Sequence, residues 1–129
     1  MSKPIFSKEV FLQDVPWKID ISPREVNKEK YVGYYLLCDF KSEFSIKDWS
    51  CQAKAELRLI NHKDPNKTFK RKINHLFTPK QEDWGFQKYI LRSNVEDIEK
   101  GFIRDNTVTF EVKIVADPPT PTGNDFLLI

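Results

Sequence analysis

From Cys51 to Leu59 the chain alternates strictly: Cys51, Ala53, Ala55, Leu57 and Leu59 are apolar, and Gln52, Lys54, Glu56 and Arg58 between them are polar. Successive side chains of a strand point to opposite faces, so this spacing gives one buried and one solvated face. Val108, Phe110, Val112 and Ile114 repeat the pattern against Thr107, Thr109, Glu111 and Lys113, with β-branched and aromatic residues that suit a pleated, half-buried surface. A slip of one residue in either run would turn its apolar set into water, which fixes the register.

Further extended segments are predicted at residues 17–21, 31–40, 49–61, 68–77, 86–91 and 107–115, with a shorter one near Val10. Turn chemistry separates them: Asp14 and Pro16, Ser22 and Pro23, the polar stretch 41–48, Asp64-Pro65-Asn66, Thr78-Pro79, and Asp105-Asn106. Short strands with regular turn signals predict an all-β antiparallel sandwich or barrel. One short helix is predicted over 93–100, with Ser93 as N-cap, Glu96 completing a capping box and Gly101 ending it. A helix of this length needs the sheet for its stability. After Ala116 the run Asp117-Pro118-Pro119-Thr120-Pro121 cannot continue a ladder and reads as a linker. The expected division is a domain at 1–117 and a Pro-rich linker or tail at 118–129.

A chain of 129 residues is long enough for one domain with its own core. The 21 basic and 19 acidic residues nearly balance, and the longest basic run is Lys70-Arg71-Lys72, which argues against a nucleic-acid binder. No apolar run has the length of a signal peptide or a membrane span, so a soluble, intracellular protein without membrane attachment is expected. Cys38 and Cys51 lie inside apolar patterns, where they are expected as reduced, buried thiols.

Catalytic signals are weak. A cysteine nucleophile needs an exposed thiol near an oriented histidine, whereas both cysteines here read as buried, and His62 falls in a turn and His75 in a strand. Two histidines and two cysteines lack zinc-ligand spacing, and Gly33, Gly85, Gly101 and Gly123 are too far apart for a phosphate loop. Carboxylates are plentiful, and composition selects no pair. Binding is therefore favoured over catalysis, because a strand edge presents unpaired backbone groups that can capture an extended peptide. Asp83-Trp84-Gly85 is the local candidate: an acceptor, a large apolar contact with a donor, and room for close backbone approach. The same residues also fit a core tryptophan and an ordinary turn.

Longer stretches carry a resemblance. Val15-Pro16-Trp17-Lys18-Ile19, Val32-Gly33-Tyr34-Tyr35-Leu36-Leu37-Cys38, Trp49-Ser50-Cys51-Gln52-Ala53, Ile73-Asn74-His75-Leu76-Phe77, Asp83-Trp84-Gly85-Phe86 and Glu99-Lys100-Gly101-Phe102-Ile103 together resemble the MATH (meprin and TRAF homology) family over residues 4–117. The resemblance implies an antiparallel β-sandwich of seven to eight strands with one short helix and no cofactor or metal. It implies a non-catalytic domain that binds short extended peptides of the form Pro/Ala/Glu-x-x-Ser, recruiting substrates or regulators to a cysteine-type deubiquitinase in nucleus and cytoplasm. A stand-alone adaptor or ubiquitin-ligase substrate receptor is the competing reading.

Within that family the peptide lies along the Asp-Trp-Gly strand. Asp83 would then accept a hydrogen bond from the motif serine, Trp84 would pack on the small residue at the motif start, and Gly85 would leave room for the peptide backbone. Arg24 would bond the peptide from the facing side, and Tyr35 would line the groove. Family members usually carry a further strand upstream of the segment matching Pro4-Ile5-Phe6. Without it the expectation is an unpaired edge at the final strand, 107–115. The isolated domain is expected as a monomer, with oligomers forming if that strand is supplied in trans.

Overall fold

The chain is seen in a computed structural model that describes residues 3–7, 9–12, 15–39, 49–116 and the backbone of 120–121. Its strands are β1 (Ile5–Phe6), β2 (Val10–Leu12), β3 (Val15–Val26), β4 (Glu29–Cys38), β5 (Trp49–Leu59), β6 (Phe69–Phe77), β7 (Asp83–Leu91), β8 (Ile103–Arg104), β9 (Thr107–Val108), β10 (Phe110–Ala116) and β11 (Thr120–Pro121), with helix α1 at Arg92–Glu96. One antiparallel sheet runs β1-β3-β4-β7, with β2 also on β3. The other has β5 at its centre, between β6 on one side and β10 and β11 on the other, while β8 and β9 form a small hairpin. The fold is the expected all-β antiparallel sandwich; several of its strands are two- or three-residue pieces that no sequence period resolves.

Alternation decides what lies between the sheets. Ala53, Ala55, Leu57 and Leu59 of β5 are buried, as are Trp17 and Ile21 of β3 and Val32, Tyr34 and Leu36 of β4. Trp17 meets Phe77 edge-on with centroids 5.1 Å apart, and Tyr34 packs on Tyr89 at 4.8 Å. Two phenols also tie the sheets by hydrogen bonds: Tyr34 donates to the carbonyl of Glu111 at 2.6 Å and Tyr89 to that of Leu57 at 2.6 Å. Burial pushes both phenols well above the ordinary tyrosine range. Cys38 and Cys51 are buried in this core and form no disulfide.

Several local expectations are corrected. Ser22 and Pro23 do not break the chain; they lie inside β3, whose reversal comes at Asn27 and Lys28, both with positive φ (53° and 68°). Pro23 is tolerated in a strand where its missing donor costs no ladder bond. Ser93 is not the N-cap: α1 starts at Arg92 after Leu91, without a side-chain cap, and breaks at Asp97. The Asp97 carboxylate accepts from the Glu99 amide and starts a short 3-10 turn, Ile98–Lys100, that Gly101 closes at φ 90°. Asp83-Trp84-Gly85 lies on a strand, as the family resemblance implies, so the predicted strand 86–91 starts three residues earlier. The predicted strand 107–115 is interrupted at Thr109, whose carbonyl accepts from the Ile60 amide at 3.0 Å. Beyond Ala116 the chain does rejoin a ladder, since β11 pairs with Trp49 and Ser50 at the sheet's edge. The turn residue Asp14, Phe40 and the polar stretch 41–48 lie outside the described residues.

Among the described residues, nothing pairs with the outer side of β10. Its Phe110, Val112 and Ile114 are half-buried and, with Leu12, Trp17 and Ile19, line a trough of about 460 Å³ between the sheets. Ile5, Phe6, Val10 and Phe11 stand exposed nearby.

Candidate functional site

β7 is the edge of the first sheet. The Cys38 amide donates to the Glu82 carbonyl at 2.8 Å, so the backbone of residue 82 faces β4. Alternation then turns the backbone groups of Asp83 and Gly85 away from β4, to a side where no described residue pairs with them.

Cross-strand partners share a face, which sorts the side chains. Trp84 stands opposite buried Leu36 and takes the inner face, whereas Asp83 opposite Leu37 and Gly85 opposite Tyr35 take the outer face. Arg24 stands opposite Tyr31, on the same outer face as Tyr35. Its side chain runs across Gly33, where an added Cβ would come within 2.9 Å of the Arg24 Cγ, and its guanidinium carbon lies 5.3 Å from the Tyr35 ring centroid. Arg24, Tyr35 and Gly85 therefore form one patch, floored by two glycines, with Asp83 two residues further along the face, about 7 Å at the strand rise. Neither Arg24 nor Asp83 forms an ion pair or side-chain hydrogen bond with a described residue, and the Arg24 Nε is buried without a partner. A guanidinium and a carboxylate of this kind are ready donors and acceptors for an incoming ligand.

Trp84 is set apart by its face but not by its exposure. It sits at the rim where β6 and β7 meet, 44% exposed, with its indole flat on the imidazole of His75 at 4.1 Å between centroids and 7° between planes. His75 is buried, packs edge-on against Phe77 and places Nε2 at 3.1 Å from the Gln81 carbonyl. A carbonyl only accepts, so Nε2 carries the proton in that contact. The turn before β7 is fixed in turn by the Gln81 amide, which donates to the Thr78 hydroxyl at 3.1 Å.

The far half of the β7 edge is closed. Arg71 lays its guanidinium on the Phe86 ring at 3.8 Å and donates to the Lys88 carbonyl at 3.0 Å. The open stretch is thus confined to the start of β7. Gly85 has a structural reason of its own: a Cβ there would collide with the Tyr34 carbonyl and lie 2.7 Å from the Tyr35 Cα, so close approach to β4 requires glycine.

Sequence reasoning singled out five residues, of which the structure brings Arg24, Tyr35, Gly85 and Asp83 onto one face and leaves Trp84 at the adjoining rim. It did not assign roles to His75, Arg71 or Gly33. The period of β6 carries the missed signal, because Arg71 and His75 fall in phase with Phe69, Ile73 and Phe77 and so face inward toward β7. Among the described residues, no group of three His, Cys, Asp or Glu side chains is placed to hold a metal ion.

A family model described as "MATH domain" matches residues 1–114. Ubiquitin carboxyl-terminal hydrolase 7 of Drosophila melanogaster is 37% identical over 114 residues, covering 88% of this chain and 10% of that protein. The protein of the same name from Caenorhabditis elegans is 26% identical over 129 residues, covering 90% and 11% respectively. BTB and MATH domain-containing protein 38 of Caenorhabditis elegans is 23% identical over 108 residues, covering 81% of this chain and 27% of that protein. The chain thus spans only about a tenth to a quarter of the length of these curated relatives.

Proposed function

The chain belongs to the MATH domain family and is a protein-interaction domain, and from that premise we propose that it binds short extended peptides along the open start of β7. The observation that carries this reading is the coincidence, at one place, of outward backbone groups at Asp83 and Gly85 with an Asp83 carboxylate and an Arg24 guanidinium that form no ion pair or side-chain hydrogen bond with a described residue. A peptide added as a strand takes its affinity from backbone pairing and its specificity from the side chains at its flank. Asp83 selects a hydroxyl in the peptide, in line with a Pro/Ala/Glu-x-x-Ser motif. Arg24 and Tyr35 engage the peptide from the outer face, and Trp84 offers an apolar contact for its first residue. Recruitment of substrates or regulators to a deubiquitinase follows from the likeness to the hydrolases, which is the higher of those reported. Binding to one short peptide should be micromolar, because ordering the peptide offsets much of the contact energy.

Titration of the domain with a fluorescent Pro-x-x-Ser peptide, and with the same peptide carrying alanine for serine, tests the reading. Saturable binding that the alanine peptide loses is expected. A folded domain that binds neither peptide refutes the motif. In that case the adaptor or ligase-receptor reading, which the likeness to the BTB and MATH protein favours, takes its place.

A further inference from the structure

The peptide edge lies on the β1-β3-β4-β7 sheet. The outward face of the opposite sheet has a different chemistry. Its cross-strand register puts Glu56 of β5 between Lys72 of β6 and Lys113 of β10, and Arg58 between Lys70 and Glu111. Arg58 engages both carboxylates, at 2.6 Å to Glu56 and 2.9 Å to Glu111. Lys54, Lys70, Lys72 and Lys113 form no ion pair with a described residue. Five cations against two carboxylates on one face exceed the formal excess of +2 of the entire chain, so the positive charge of the molecule is concentrated here.

The face also has shape and an apolar end. Lys54, Lys72 and Lys113 stand around a depression of about 470 Å³ that Glu56, its carboxylate engaged by Arg58, also lines. Val115, 75% exposed, lines the same depression, and Leu76, 47% exposed, lies further along β6 on the same face. The outward positions of the three strands contain no aromatic residue, so bases would find nothing to stack on. Phosphates crossing the middle of the face would meet the carboxylates of Glu56 and Glu111. Carboxylate side chains spaced along a peptide can instead reach the lysines singly, while an apolar side chain settles at the Val115 end.

We propose that this face is a second docking surface, for an acidic peptide segment bearing an apolar residue at one end. It is the outward face of the other sheet, whereas the start of β7 opens on the edge and outer face of the first, so the two surfaces can be occupied together, and a partner carrying both kinds of segment would gain avidity.

A fluorescein-labelled peptide of alternating glutamate and aspartate with a leucine near one terminus serves as probe. Saturable binding that weakens with added salt is expected, together with about a tenfold loss in the triple variant Lys54→Gln, Lys72→Gln, Lys113→Gln, as three exposed charge pairs combined would give. The matching Lys→Arg triple variant should retain binding, which separates lost charge from a damaged fold. Trp84→Ala should leave this binding unchanged while weakening the Pro-x-x-Ser peptide, so the two surfaces are judged independently. Absence of saturable binding, equal binding by the Lys→Gln variant, indifference to replacing the leucine by serine, or equal competition by an oligothymidylate of the same charge would each overturn the proposal.

Discussion

Asp83 and Trp84 are neighbours in sequence that serve opposite faces of β7, and their contributions should separate accordingly. In the proposed binding mode Asp83 would meet a peptide hydroxyl from the outer face and Trp84 an apolar side chain at the rim, so Asp83→Ala and Trp84→Ala should each weaken peptide binding by about 1–4 kcal/mol. Calorimetric titration of each variant, with the thermal midpoint as a check on the fold, measures this; unchanged affinity in both would remove the assigned site. His75 acts through Trp84 by holding the indole flat. His75→Ala is expected to cost less in binding than Trp84→Ala, about 0.5–1.5 kcal/mol for a lost aromatic contact. These roles were only partly legible in the sequence. Asp83, Trp84 and Gly85 were visible because acid, aromatic and glycine stand together. The period of β6 turns His75 inward, but its stacking on Trp84 depends on β6 meeting β7 at the rim of the sandwich, a contact between two sheets that the period alone does not specify.

At the scale of elements, β5 and β10 were legible because each buries one face and leaves the other in water, and period two records that directly. Ser22-Pro23 carries turn chemistry that would end β3 at Ile21, yet pairing with β4 from Trp17 to Val26 outweighs it. The true reversal, Asn27-Lys28, carries no glycine and gives a weaker local signal. The contact of β7 with β4 at Gly85 yields a sharp expectation. Gly85→Ala forces the two strands apart and should destabilise the domain by about 1–3 kcal/mol, as overpacking does. Chemical denaturation would show this as a lower midpoint, and an unshifted midpoint would mean that β7 relaxes freely at that residue. The tyrosine bonds between the sheets belong to the same scale. Tyr34→Phe and Tyr89→Phe should each cost about 1–3 kcal/mol, because a buried carbonyl is left without its donor.

For the whole molecule those two phenols set a response to alkali. Burial holds both in the protonated form above the ordinary value of 10.0, so the unfolded chain gives up these protons first. The stability they contribute is complete below that value and falls as pH rises through it. Lys18, raised by its hydrogen bond to Asp39, acts in the same direction. Denaturation midpoints followed into the alkaline range should decline, and the decline should flatten in the Tyr34→Phe, Tyr89→Phe double variant; an equal slope in both proteins would show that other groups set it. The sandwich also divides its surfaces, with the open start of β7 on one sheet and the lysine-rich face on the other. Recognition at the β7 edge is the central claim, and an amide correlation spectrum of the nitrogen-15-labelled domain, titrated with a Pro-x-x-Ser peptide, tests it most directly. The account predicts shifts centred on Asp83, Trp84 and Gly85 and reaching Tyr35 and Arg24 across the outer face. Shifts confined to β10, to the lysine-rich face or to the β8–β9 hairpin would contradict it.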